Sequence, residues 1–183
     1  MDIIETAIPG VIVVAPKRFG DARGFFVELY RAERYAAAGI ERPFVQDNFS
    51  RSARGVLRGL HLQNPNPQGK LISVISGRVL DVVVDVRRGS PTFGKHVAVE
   101  LCGENSRQLF APRGVAHGFV VLSEQADVLY KCDSVYSPAD EIVLAWNDPA
   151  LGIDWPVKEP QLSPRDAAGL KLADVAQLPP YEP

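Results

Sequence analysis

The sequence predicts an all-β fold: a jelly-roll barrel with a few short peripheral helices. Three observations carry that expectation. Short strand-like runs dominate from Val11 to Val143, divided by turn signals at Arg88-Gly89-Ser90-Pro91, Cys102-Gly103-Glu104-Asn105 and Ser137-Pro138. One run, Val79 to Val86, alternates clearly, with Leu80, Val82, Val84 and Val86 on one apolar face and Asp81 and Asp85 on the other. Helical patterning is confined to the stretch from Ala32 to Ala38 and to short pieces after Pro164. Roughly eight or more short strands in one chain suit the two packed sheets of a jelly roll.

The elements follow in order. Val11 to Val14 is an edge-forming start that needs covering. Phe25 to Tyr30 and Phe44 to Phe49 read as strands on either side of the helical stretch. His61 sits on a strand between Leu60 and Leu62 and faces away from both. Leu71 to Ile75 joins the Val79–Val86 strand through Ser76-Gly77, a hairpin signal. Further strands are expected at His96 to Leu101, Gln108 to Ala111, Gly118 to Leu122 and Val128 to Val135. From Asp148 on the chain is Pro-rich. Residues 148–183 are expected to wrap the barrel, so residues 1–183 read as one domain, long enough for a sizeable core.

Hydrophobic content of 46% and charged content of 23% are those of an ordinary globule, and a net charge of −2 gives no bias toward nucleic acid or a membrane. Cys102 and Cys132 are too few for a disulfide scaffold and fit a reducing cytosol. The segment Ile8 to Pro16 is short, interrupted by Pro9 and lacks a basic start. No signal peptide or membrane span is expected, and a cytoplasmic location is.

Two segments bear the chemistry: Arg58-Gly59-Leu60-His61-Leu62-Gln63, followed by Gln68-Gly69-Lys70, and Pro112-Arg113-Gly114-Val115-Ala116-His117-Gly118-Phe119, followed by Tyr130-Lys131. A metal is the first possibility to weigh. Jelly-roll cupins that bind one usually present a His-x-His pair, a downstream Glu and a later His. Here Gln63 stands in place of the second His and Lys70 near the place of the carboxylate, while Pro112-x-Gly114-x-x-His117 is intact. An amide and an ammonium make a poor ligand set, so no metal and no cofactor are expected.

A cupin pocket turned to acid–base work fits better. Alone, His61 would be a core histidine satisfied by a carbonyl, Lys70 a solvated strand end and Tyr130 a buried structural phenol. Together with His117 they offer a base, a cation and an acid around one cavity, which suits proton abstraction next to a carbonyl. A neutral imidazole accepts a carbon-bound proton best when a carboxylate holds its other nitrogen, and Asp166 is a candidate. Lys70 would face an enolate oxygen. Arg23, Arg58, Gln46 and Asn48 suit phosphate and ribose. Strict alternation puts Arg58 and His61 on opposite faces, and Gly59 could mark a bulge that brings both inward. Gly24, Phe25 and Phe26 read as packing, and His96 as surface.

At these residues the chain resembles the dTDP-4-dehydrorhamnose 3,5-epimerase family, from about Ile8 to about Asp174. The motifs run in order: Gly20-Asp21-x-Arg23-Gly24-Phe25-Phe26, Phe44-Val45-Gln46-Asp47-Asn48, Gly55-Val56-Leu57-Arg58-Gly59-Leu60-His61, Gln68-Gly69-Lys70, Gly89-Ser90-Pro91-Thr92-Phe93-Gly94-Lys95, Pro112-x-Gly114-x-Ala116-His117-Gly118-Phe119, Tyr130-Lys131, Trp146-Asn147-Asp148-Pro149, Gly152-Ile153-Asp154-Trp155-Pro156 and Leu162-Ser163. The resemblance implies a metal-independent cupin jelly roll and a homodimer whose N-terminal strands help complete the partner's site. It implies His61 as proton acceptor with Asp166 behind it, Tyr130 as proton donor on the other sugar face, Lys70 at the enolate and His117 in the sugar pocket. Arg23, Glu28, Gln46, Asp47, Asn48, Arg58, Glu141 and Arg165 match substrate-binding positions, and Tyr136 matches an aromatic that stacks on thymine. The implied substrate is dTDP-4-dehydro-6-deoxy-D-glucose.

Departures from the family pattern are a shorter loop from Leu62 to Gly69, Arg165 where lysine is common, and Cys132-Asp133-Ser134 in place of a small or Thr-bearing stretch. Inversion at C3 alone or C5 alone, a 3,4-ketoisomerase and a non-catalytic sugar-nucleotide binding cupin stay as alternatives.

Overall fold

The computed structural model describes residues 1–182. Its strands are β1 (Asp2–Glu5), β2 (Ile12–Ala15), β3 (Arg18–Asp21), β4 (Gly24–Val27), β5 (Gln46–Ala53), β6 (Leu57–Gln63), β7 (Lys70–Ser76), β8 (Arg78–Asp85), β9 (His96–Cys102), β10 (Gln108–Ala111), β11 (Val115–Val121), β12 (Gln125–Cys132) and β13 (Glu141–Val143). Two short helices, α1 (Ala32–Ala36) and α2 (Pro164–Ala167), and a 3-10 turn (Leu172–Asp174) lie outside them. A six-stranded sheet in the order β1-β2-β10-β7-β12-β5 faces a five-stranded sheet in the order β13-β6-β11-β8-β9, and β3 and β4 pair only with each other. Every pairing between these strands is antiparallel. The jelly-roll expectation therefore holds.

The core between the sheets is built from Val13, Ile72, Val74, Val79, Val83, Leu101, Leu109, Val115, Phe119, Val121 and Val128, with Ile8 and Val11 closing one end. Each such side chain contributes about 1.5–3 kcal/mol when fully buried. The β8 alternation is real, but neither face meets solvent. Val82, Val84 and Val86 point outward against Leu60, Leu62 and Leu144 and are sealed by Leu151, Leu172 and Val175 from the segment beyond Asp148. Asp148 pins that segment, accepting from the Leu172 backbone N–H at 2.8 Å and the Ala150 N–H at 3.0 Å. Asp81 and Asp85 point inward beside Val79 and Val83, fully buried. A third cluster forms where α1 lays Tyr35 against Val14, Ile40 and Leu71.

Three local expectations need correction. Ser76-Gly77 is a corner and not a hairpin, because β7 belongs to one sheet and β8 to the other. Gly77 lets the chain turn there: φ is +77°, and a Cβ would lie 2.1 Å from the Gln125 carbonyl oxygen. Phe25 and Phe26 do not join the core; with Phe19 they are exposed on the detached β3–β4 hairpin, where the Arg18 guanidinium lies over the Phe25 ring, 3.5 Å from its centroid. His96 is half-buried, its Nδ1 donating to the Leu151 carbonyl at 3.0 Å.

Candidate active site

A cavity of about 440 Å³ opens between the sheets at one end of the barrel. The pleat dictates what lines it. On the six-stranded sheet, Lys70 lies beside Cys132, which lies beside Gln46; in the next inward row Ile72, Tyr130 and Asn48 are neighbours. Two residues further along, Ser50 faces Val128. The opposite wall carries His61 and His117, paired directly across β6 and β11. Glu141 of β13 sits across from Gln63. Arg58, Phe119, Tyr136 and Arg165 also line it.

Arg58 and His61 both reach this cavity although they are three apart. The register of β6 against β11 slips between the His117–His61 and Phe119–Arg58 pairs, so Gly59 and Leu60 oppose the single residue Gly118. Gly59 makes this bulge possible, with φ at +134° and room for no side chain: a Cβ would lie 2.5 Å from the Gly118 Cα. The released Arg58 donates through Nε to Ser52 Oγ at 3.0 Å.

His61 Nε2 lies 2.5 Å from Asp166 Oδ1. Asp166 comes from the far end of the chain, on α2, and is itself held. Ser163 caps that helix by accepting from the Asp166 backbone N–H at 3.1 Å and donates its hydroxyl to Asp166 Oδ2 at 2.8 Å. Pro164 at the first helical position fixes the turn. Burial works to raise the Asp166 carboxyl, but the hydrogen bond and charge of His61, with help from Ser163 and Arg165, hold it below the usual carboxylate range.

Burial pushes the Lys70 ammonium down, opposed by Cys132, Glu141 and Asp81. Burial likewise pushes the Tyr130 phenol up, so Tyr130 stays protonated well above neutrality. The mouth of the cavity is tied by one cluster: Tyr136 donates its hydroxyl to Glu141 Oε2 at 2.9 Å, and Arg165 bonds both. Gln46 Oε1 accepts from the Tyr136 backbone N–H at 2.8 Å.

The fold thus gathers His61, Lys70, Tyr130, His117, Gln46, Asn48, Arg58, Tyr136, Glu141 and Arg165 around one cavity, with Asp166 behind His61. Three expected residues stand elsewhere. Arg23 is exposed on the β3–β4 hairpin and pairs with Asp21. Glu28 pairs with Arg31 and Arg34. Asp47 alternates to the outer face of β5, away from Gln46 and Asn48, and bonds Lys131 at 3.0 Å. No three His, Cys, Asp or Glu among the described residues are grouped to hold a metal ion.

The dTDP-4-dehydrorhamnose 3,5-epimerase family model matches residues 5–174. The chain belongs to this family. A dTDP-4-dehydrorhamnose 3,5-epimerase of Salmonella typhimurium is 53% identical over 181 residues, covering 97% of this chain and 98% of the relative. One of Neisseria gonorrhoeae is 53% identical over 170 residues, and there the chain spans only 52% of the relative's length. The crystal structure of a dTDP-6-deoxy-D-glucose-3,5-epimerase from Legionella pneumophila in complex with dTDP-4-keto-L-rhamnose superposes with a TM-score of 0.97 at 52% identity, covering 100% of this chain and 99% of that one.

In this member of the epimerase family two further residues, Gln63 in the cavity wall and Asp81 buried behind His117, support the site. By sequence Gln63 stands out only as the residue in place of a metal-ligand histidine. It is a loop anchor, donating to the Asn66 carbonyl at 2.9 Å and accepting from the Ser137 N–H at 2.9 Å. By sequence Asp81 only shares a strand face with Asp85. It is the hydrogen-bond partner of His117 Nε2, at 2.9 Å. The available signal was an aspartate amid valines on a strand too apolar to have a wet side.

Proposed function

We propose that this chain inverts C3 and C5 of dTDP-4-dehydro-6-deoxy-D-glucose and yields dTDP-4-dehydro-L-rhamnose. One observation supports this above others: a carboxylate-backed histidine and a half-buried phenol occupy opposite walls of one cavity, with a lysine on the phenol's side. The C4 ketone acidifies the hydrogens on both neighbouring carbons. His61, its ring held by Asp166, removes one. Lys70 receives the charge that develops on the ketone oxygen. Tyr130 delivers a proton from the opposite wall, and the centre is inverted. The same steps at the second carbon complete the reaction. No metal and no redox partner enters it.

Arg58, Gln46 and Asn48 suit the diphosphate and ribose, and Tyr136 suits the thymine face, with Glu141 and Arg165 fixing the ring's orientation. Arg23 and Glu28 lie too far along the N-terminal part to serve this cavity. In a homodimer the exposed hairpin with Phe19, Phe25 and Phe26 would insert into the partner's site and carry Arg23 with it. The chain works as one unit, because the tail carries Asp166 to His61. Buried Cys102 and Cys132 are free thiols, which suits the cytoplasm; no helix among the described residues is long and apolar enough to cross a membrane.

Turnover of the keto sugar in heavy water, followed by NMR of the product, tests this reading. Deuterium is expected at both C3 and C5. Uptake at a single carbon would make the chain a 3-epimerase or a 5-epimerase, and uptake at neither would remove the epimerase reading.

A further inference from the structure

The cavity holds a second histidine–carboxylate pair for which the reaction above has no use. His117 Nε2 lies 2.9 and 3.0 Å from the two oxygens of Asp81. Asp81 is 0% exposed and His117 6%. Among the described residues, His117 is the one side chain that hydrogen-bonds Asp81. Lys70, from the facing sheet, is near enough for its charge to act on Asp81.

A buried carboxylate beside a developing enolate is unfavourable unless it serves another group. Complete burial favours a pair that is neutral overall. Neutrality can be met with the proton on His117 Nε2 or on Asp81. In both arrangements the other ring nitrogen, Nδ1, carries a hydrogen. Burial, which raises the Asp81 carboxyl against the opposing pull of His117 and Lys70, helps to retain that shared proton.

We infer that Asp81 is a positioning residue that keeps His117 a hydrogen-bond donor through Nδ1, so that the enolate oxygen is received by two donors, His117 and Lys70. The inference rests on the epimerase reading above. It has a distinctive consequence, because one ketone oxygen serves both inversions. A donor to that oxygen must matter equally at C3 and C5, whereas a base can belong to one carbon alone.

Asp81→Leu roughly keeps the size and removes any hydrogen-bond partner for the imidazole. In that variant kcat is expected to fall on the order of 10²-fold, as for loss of one oxyanion donor. KM and dTDP affinity should change little, and deuterium uptake at C3 and C5 should fall in parallel. Loss at one carbon only would make His117 a base, and an unchanged kcat would make the pair structural; either overturns the inference. Should the variant not fold, ¹⁵N NMR of the unmodified enzyme decides, since the chain has only 3 histidines to resolve. With dTDP bound, a hydrogen on His117 Nδ1 at neutral pH is expected, and a bare Nδ1 refutes the inference. Failure of wild-type turnover would instead count against the epimerase reading, with the NMR result still deciding the donor state.

Discussion

At the scale of single residues, the proposed base and acid make different predictions. His61→Asn keeps much of the packing but cannot accept a carbon-bound proton. It should abolish deuterium uptake at both carbons while leaving dTDP binding largely intact, measured by exchange NMR and calorimetry. Tyr130→Phe removes only the hydroxyl. His61 can still form the enolate, so some exchange should persist with the proton returning from the original face, while net inversion falls by about 10²–10⁴. Near-normal exchange in His61→Asn would move the base to His117, and full inversion in Tyr130→Phe would leave the tyrosine a structural part. Residue types alone singled out His61, Lys70 and Tyr130, because imidazole, ammonium and phenol rarely converge without purpose. The role of Asp81 is not legible in the sequence, because burial is a property of the folded sheet: the alternation tells which face it shares, not that this face is dry.

At the scale of elements, the turn after β8 stores a salt-bridged knot. Asp85 accepts from Arg87 Nε and Nη2, both at 2.9 Å, and from the hydroxyls of Ser90 at 2.5 Å and Thr92 at 2.6 Å. Burial opposes ionisation there, but these bonds outweigh it and bring the carboxyl down to about 2. A carboxyl depressed in the folded state stabilises fully above its unfolded value near 3.9 and loses that contribution as pH falls through the folded value. The contribution is roughly 2 kcal/mol. Asp85→Asn strands buried Arg87 without its partner and should cost about 3–5 kcal/mol at pH 7, and the variant's stability should respond less to acid between pH 4 and pH 2, read from urea midpoints. A wild-type midpoint flat across that window would contradict this. Strand existence was largely legible from alternation, and so was the Gly59 bulge, from the spacing of Arg58 and His61. The Ser76-Gly77 corner was not: a glycine turn looks the same whether its strands pair or part, and the choice depends on β12, which claims β7 from a distance of some fifty residues.

At the scale of the whole molecule, the proposed dimer follows from what a single chain leaves uncovered. Phe26 is 68% exposed and Phe19 53%, and β1 is an exposed edge. Light scattering at assay concentration should give twice the chain mass. Replacing Phe19 and Phe26 together by serine should shift the population to monomer and lower activity with it; a fully active monomer would contradict the shared site. The sequence pattern made the jelly roll and the wrapping tail readable, since strands, turns and a Pro-rich run are local signals. Spacing does not reveal that Asp166 reaches His61 across 105 positions of chain; the residues offer Asp166 as a candidate, and the family resemblance implies the pairing. The same separation bears on protein synthesis. A ribosome makes the imidazole 105 residues before its carboxylate partner, so the nascent barrel lacks its backed base until α2 has left the exit tunnel and docked. Ribosome-arrested chains halted before Ser163 emerges should leave the keto sugar unlabelled in heavy water, and release should start exchange. Activity would then be a report that α2 has emerged and docked, and chains cut before α2 would be inert.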